Sequence, residues 1–306
     1  MKKIISPLVL LSVLMFSCTS NEEPEEVVNC QEDRNKVNMT RFVKSDSRSN
    51  DVINSYSYNE LNFLSSRTRN SLSRNFEYTY VYDCSNNLVE MQVDETKDPQ
   101  YDGSDYFYTY DNQNRLIGFS NSFQGESDYE LTYNGNVVSA TGTIGMDQNT
   151  SVTLQLNSQG QVSRLDRVND LGFEDQVIYT IFEYDSNGNL IKVEDFDKEG
   201  SLKYSIRIFY DNYTNPYYDQ FKSIYLQRFI SLFYDAGYWA ADRFSSDDFY
   251  FPYLKNNITS IKDTLCNACY PEVVKRDYNY DEVYPQKFSL SYWGAPGTET
   301  EIEYYE

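Results

Sequence analysis

The residues of this 306-residue chain whose types could do chemistry are five cysteines and 47 aspartates and glutamates, with no histidine among them. Without imidazole there is no Ser-His-Asp triad, no Cys-His dyad and no His-ligated metal, nor a side chain that ordinarily titrates near neutrality. Carboxylate pairs remain, the chemistry of glycoside hydrolysis, but among 47 acids any pair chosen by sequence is uninformative. No catalytic residue, metal ligand or cofactor is assigned, and no enzymatic activity is expected. A net charge of −21 also argues against nucleic acid, whose phosphates are held by clustered Lys and Arg.

Cys18 has its own chemistry. Lys2 and Lys3 precede an apolar run from Ile4 to Phe16, then Ser17 and Cys18. The run is too short for a bilayer, which takes about 20 helical residues, and reads as a secretory leader, residues 1–17. Met15-Phe16-Ser17-Cys18 resembles a bacterial lipobox, in which the cysteine thiol carries the lipid. Each buried methylene of such an anchor contributes about 0.8 kcal/mol. Residues 18–34, with Glu22-Glu23-Pro24-Glu25-Glu26, compose an acidic tether. These acids resemble the export signal that takes Bacteroidota lipoproteins to the outer face of the outer membrane. The expected address is that surface, with the periplasmic face as the alternative.

The remaining cysteines, Cys30, Cys84, Cys266 and Cys269, are an even set in an exported chain and are disulfide candidates with three pairings open. Cys266-Asn267-Ala268-Cys269 could also be read as a redox or zinc motif. Redox use wants a helix N-terminus, whereas Pro271 and strand-like residues follow; a Cys-only zinc site wants a second such motif. Asp263-Thr264-Leu265 resembles the O-glycan acceptor of Bacteroidota exported proteins, which makes Thr264 a modification candidate.

The elements that must carry these residues are written in a repeat: an alternating aromatic run, Asp or Asn, a short turn, then Leu or Val. Five copies turn at Asp83, Asp111, Asn134, Asn157 and Asp185, spaced 28, 23, 23 and 28 residues, and an imperfect sixth ends at Tyr210-Asp211. The fourth turn position, Asn86, Asn114, Gly160 or Gly188, fits a positive φ, and the leading Asp or Asn can accept a downstream N–H. Period-two alternation puts the tyrosines on one sheet face, as core or half-buried packing rather than a sugar-stacking surface. From Asp219 to Tyr234 the period becomes three and four, through Phe221, Ile224, Tyr225, Arg228, Phe229, Leu232 and Phe233. That predicts an amphipathic helix covering the open face or end of the sheet, with Asp219 as N-cap. Strands resume near 257–264, 272–281, 285–292 and 299–305.

Tyr-x-Tyr-Asp-x-x-Gly-Asn-Leu, as in residues 182–190, resembles the YD repeat of rearrangement-hotspot proteins over residues 76–211. The chain is more similar still to a group of Bacteroidota lipoproteins in which such hairpins precede an Asn-Pro segment, a helical insert, and Asn-Asn with more strands. Asn215-Pro216, Asn256-Asn257, Tyr278-Asn279-Tyr280 and Tyr284-Pro285 carry that likeness. It implies a lipid-anchored, β-rich surface protein with no catalysis; about six copies are too few to enclose a toxin as the large YD proteins do.

The expected architecture is mainly all-β: one domain over residues 35–306, an antiparallel sheet or open β-roll of about six or more hairpin repeats, with a helical insert at about 217–253. The expected function is a non-catalytic, lipid-anchored binding or scaffold module for glycan or protein. Its partners are the membrane, through the lipid on Cys18, and a ligand met by Trp239, Tyr250 and Phe251 in the aromatic, acidic segment 238–253. A surface hydrolase using carboxylates and a purely structural envelope protein are the alternatives.

Overall fold

The computed structural model describes residues 36–37, 39–48, 51–97, 103–122, 128–144, 147–167, 177–233, 254–265, 272–292 and 294–306, without the side chains of 147–149, 272 and 292. All belong to the unit Glu32–Glu306. The first strands are Val43–Arg48 (β1), Val52–Tyr58 (β2), Leu64–Asn70 (β3), Asn75–Tyr82 (β4), Leu88–Glu95 (β5) and Asp105–Tyr110 (β6). Leu116–Asn121 (β7), Asp128–Asn134 (β8), Val137–Ile144 (β9), Asp147–Leu156 (β10), Val162–Arg167 (β11) and Tyr179–Tyr184 (β12) follow. Leu190–Phe196 (β13) and Leu202–Thr214 (β14) lead to a 3-10 turn, Lys222–Ile224, and the one α-helix among the described residues, Tyr225–Phe233 (α1). Asn256–Asp263 (β15), Glu272–Asp281 (β16), Tyr284–Tyr292 (β17) and Ala295–Tyr304 (β18) complete the chain.

Each strand pairs antiparallel with its sequence neighbours, and β18 pairs with β1, so the sheet is a closed 18-stranded barrel. This corrects the expected open sheet or roll. Closure follows from the two chain ends, which together form one more hairpin-like unit: Tyr304 lies opposite Val43 with the same irregularity, between Val43 and Ser45, that the repeats carry beside their turns. The eighteen strands of the described residues make nine two-stranded units. One unit beyond the copies picked out above, Tyr56-Ser57-Tyr58-Asn59 to Leu64, fits the same pattern of alternating tyrosines, Asn, a short turn and Leu.

A barrel this wide would hold an aqueous channel if side chains alone lined it. Here the inward positions, among them Tyr56, Tyr80, Leu88, Tyr108, Leu131, Leu154, Phe182 and Ile261, are buried in one apolar cluster with Phe221, Ile224, Phe229, Ile230 and Phe233 of the insert. The insert meets wall strands far apart around the ring: Tyr217 packs on Tyr56 of β2, Phe221 on Tyr80 of β4, and Phe229 and Phe233 on Phe182 of β12. It therefore fills the lumen, which corrects its expected position over an open face of the sheet. Burying each such aromatic contributes about 1.5–3 kcal/mol. Asp219 has φ 73°, the left-handed region, and so does not cap the helix; its carboxylate pairs with Lys222.

The outward positions are polar. Glu77 and Thr79 of β4, Gln92 and Asp94 of β5, and Glu301 and Glu303 of β18 are exposed. Ile53, Val81, Phe107, Leu202 and Phe209 are exposed apolar exceptions on the strands. The wall is apolar inside and charged outside.

Candidate functional site

The turns of the repeat share one geometry. In the turn after β4, the Asp83 N–H donates to the Asn87 carbonyl (2.9 Å), and Asp83 Oδ1 accepts from Ser85 N and Asn87 N, both at 2.8 Å. The same arrangement recurs from Asn59, Asp111, Asn157 and Asp185, with positive φ at Asn62, Asn114, Gly160 and Gly188. These turns fall on one rim, because successive hairpins alternate between the barrel's two ends. Asp197–Ser201, with Gly200, repeats the turn on the other rim.

Beside each turn the second strand carries an extra residue, a bulge, and the residue before it has a carbonyl turned out of the ladder. The tyrosine of the next unit takes that carbonyl. Tyr82 donates to Leu64 O, Tyr110 to Leu88 O, Tyr133 to Leu116 O and Tyr184 to Val162 O, at 2.7–2.9 Å. Tyr210 to Leu190 O, Tyr278 to Ile258 O and Tyr304 to Pro285 O continue the series at 2.7–2.9 Å. This clasp is the physical reason for Tyr before Asp. Burial holds the hydroxyls protonated; it pushes Tyr278 up to about 12 and Tyr82, Tyr110 and Tyr304 higher still.

The insert is a lengthened copy of the same hairpin. Asp211 starts the turn, receiving Tyr213 N (2.9 Å), and Asn257, far along the chain, supplies the closing amide to Asp211 Oδ2 (3.2 Å), as Asn189 does for Asp185. Tyr280 also donates to Asp211. Asn215 fastens the neck, its N–H on Lys255 O and its amide on Leu254 O. Asn-Pro and Asn-Asn therefore mark where the chain leaves and re-enters the rim.

Inside, insert side chains meet N–H groups freed at the bulges. Gln220 accepts from Leu64 N (2.9 Å), Ser223 from Leu88 N (3.0 Å) and Tyr225 from Val162 N (2.9 Å). Burial raises Tyr225 to about 12. At the far end Arg167 reaches the last helical carbonyl, Phe233 O, and Thr180. Thr180 donates in turn to Asp195 (2.6 Å). A second buried network joins Asp46 to Asn54 and Tyr56, and Asn54 to Arg67. Buried charge is held at this cost only where hydrogen bonds surround it.

Between two adjacent turns and the insert, the rim holds a cavity of about 410 Å³. Gln159-Gly160-Gln161 forms one wall, Asp185-Ser186-Asn187-Gly188 the second, and Tyr218, Lys222 and Tyr225 the third. Its one carboxyl group is engaged: Asp185 Oδ1 receives two backbone N–H groups and Oδ2 the Asn189 amide. Lys222 is paired with Asp219, so the lining carries little free charge.

Of the residues singled out by sequence, Cys18, Cys30, Cys266, Cys269, Trp239, Tyr250 and Phe251 lie outside the described residues. Cys84, at the second position of its turn, is disulfide-bonded. Thr264 is exposed just after β15, with its hydroxyl 2.6 Å from Ser205 Oγ. Neither Cys84 nor Thr264 lines the cavity. Tyr218 and the second and third turn positions carried no signal of their own, because neither repeat nor helix period constrains them.

No family model matches the chain, and no curated protein matches it in sequence. Among solved structures it is similar to a porin-like protein from Bacteroides vulgatus, at 10% identity and TM-score 0.33, over 86% of this chain and 99% of that one. A porin-like protein from Bacteroides uniformis matches at 12% identity and TM-score 0.34, over 86% and 96%. The Photorhabdus luminescens Tc holotoxin pore matches at 13% identity and TM-score 0.27, over 79% of this chain and 13% of that one.

Proposed function

We propose that this protein is a non-catalytic binding module, held at the outer membrane by lipid on Cys18 and meeting its ligand, glycan or protein, through the turn rim. The observation that carries this reading is the sense of the wall: filled and apolar within, charged without. A lipid-facing barrel needs an apolar outer band, and each Lys or Arg placed there costs about 2–4 kcal/mol at mid-bilayer. Lys192 and Lys287 here form outward ion pairs with Glu183, Glu194, Glu299 and Glu301. Such a wall belongs in water, so the anchor must come from outside it, and the leader and lipobox supply one. With the lumen filled, neither passage nor cargo engages the inside, which leaves the surface.

The test combines planar-bilayer conductance with protease shaving of intact cells. The full chain is expected to raise no conductance, and shaving to remove it. Ion conduction by the purified chain overturns the reading; protection from protease moves the protein to the periplasmic face.

A further inference from the structure

We propose that the rim cavity bounded by Gly160, Gly188 and Tyr218 binds a neutral saccharide of one or two pyranose rings. The inference rests on the surface-binding reading above and adds the site and the ligand class.

Volume is the first argument: about 410 Å³ lies within the range of small-ligand sites. The second is what the turns leave over. In the repeat, the first position makes the turn, the fourth takes positive φ and the residue after the fifth enters the core. The second and third are unassigned by the fold. Here they present Ser186, Asn187 and Gln159, all exposed, offering hydroxyl and planar amide groups to one space. Adjacent sugar hydroxyls want paired donors and acceptors of this kind. Tyr218, half-buried, adds an aromatic ring, and such rings pack against the C–H face of a pyranose.

The third argument is the choice of glycine. The turns at 83–87 and 111–115 use Asn86 and Asn114 at positive φ, so asparagine satisfies the fourth position. The two turns beside the cavity use Gly160 and Gly188, and a Cβ at Gly160 would meet nothing within 4 Å. At Gly188 a Cβ would come 3.2 Å from Gln161 Nε2, so glycine at both positions leaves this stretch of the cavity lining without side chains of its own. Charge decides the ligand class: Asp185 is committed to its turn and Lys222 to Asp219, which disfavours an ionic ligand.

The test is saturation-transfer NMR and calorimetric titration of the full chain with maltose, cellobiose, xylobiose and chitobiose, and with digalacturonate as an anionic comparison. At least one neutral disaccharide is expected to bind, about tenfold or more weaker in both Gly160→Asn and Tyr218→Ala. Gln113→Ala, on a turn away from the cavity, should bind as the parent does. Gly160→Asn keeps the turn geometry of Asn86 and Asn114, so its melting temperature should stay at the parental value and loss of binding there cannot be misfolding. Saccharide binding unchanged in Gly160→Asn overturns the site. Binding of digalacturonate alone, or of none of the five sugars, overturns the ligand class. Neither outcome touches the surface-binding reading, which falls on conductance instead.

Discussion

In the wall, one kind of contact is made seven times: a tyrosine hydroxyl from each of seven units closes on the carbonyl before its neighbour's bulge. In the insert, three different side chains, Gln220, Ser223 and Tyr225, each meet one bulge N–H, Tyr217 and the Phe233 carbonyl each meet a buried charged residue of the wall, and aromatic rings pack on strands far apart in the barrel. The wall spreads its stabilisation over interchangeable rungs, whereas the insert concentrates it in a few buried side chains. A lost rung should be tolerated and a lost plug contact should not.

The largest effect is therefore expected at Phe229. Its ring is fully buried and packs on Phe182, Tyr225 and Phe233. Phe229→Ala should cost about 3–5 kcal/mol in urea unfolding, because the rings around it are fixed to β12 and to the helix itself and cannot close the cavity. A loss no larger than that of Tyr82→Phe would show that the wall holds without its filling.

Alkali attacks both regions at once. Tyr225 of the insert and Tyr278 of the wall are raised from 10 to about 12 by burial. A folded value above the unfolded one means that the native state holds its proton longer, so stability is level below about pH 10 and falls as pH rises from there towards 12. Circular dichroism and tyrosinate absorbance should change together in one transition in that window. Two separate transitions would mean that wall and insert unfold independently.

How much of this was legible depends on whether a residue serves a local or a distant partner. The turn at Asp185, its glycine at 188 and the alternation of β12 are local requirements, and they stand in the sequence as a repeat. Closure is not local: Val43 and Tyr304 are ordinary strand residues until they are seen opposite each other with a repeat-like bulge. The destination of the helix was hidden for the same reason. Its apolar period predicted burial of one face, but Gln220 and Ser223 looked like polar-face residues, and only the bulges at Leu64 and Leu88 explain them. Asn256-Asn257 was visible as a motif without a cause until Asp211 was found as its partner. The cavity left no trace in the pattern, since it is built from turn positions that the fold does not constrain.

A smaller effect links the two regions at Leu88, whose N–H is taken by Ser223 of the insert and whose carbonyl is taken by Tyr110 of the wall. Ser223 also hydrogen-bonds the Tyr110 side chain. Ser223→Ala should cost about 1–3 kcal/mol by leaving a buried N–H unmet, and Tyr110→Phe about 1 kcal/mol. Sharing one residue, the two should couple by about 0.5 kcal/mol or more in a double-mutant cycle, while Tyr82→Phe and Tyr210→Phe, on separate rungs, should add within about 0.5 kcal/mol. Strict additivity at Leu88 would detach the insert from the wall's clasp.

The smallest expected effect is the most specific. In one unit the tyrosine itself is missing: Leu156 stands where Tyr82, Tyr110, Tyr133, Tyr184, Tyr210 and Tyr304 stand in theirs. The hairpin before it keeps its register without irregularity, with Asn134 paired directly to Val137. All seven acceptor carbonyls belong to residues that precede a bulge, and Val137 does not. The unbroken register therefore leaves no displaced carbonyl to accept a hydroxyl, and leucine there follows from its neighbour's missing bulge rather than from chance. Leu156→Tyr should bring no gain in stability, within about 0.5 kcal/mol of zero or slightly unfavourable, because the added hydroxyl has nowhere to donate. A gain of about 1 kcal/mol, the worth of an ordinary rung, would separate the tyrosine from the bulge and break the link between turn and clasp.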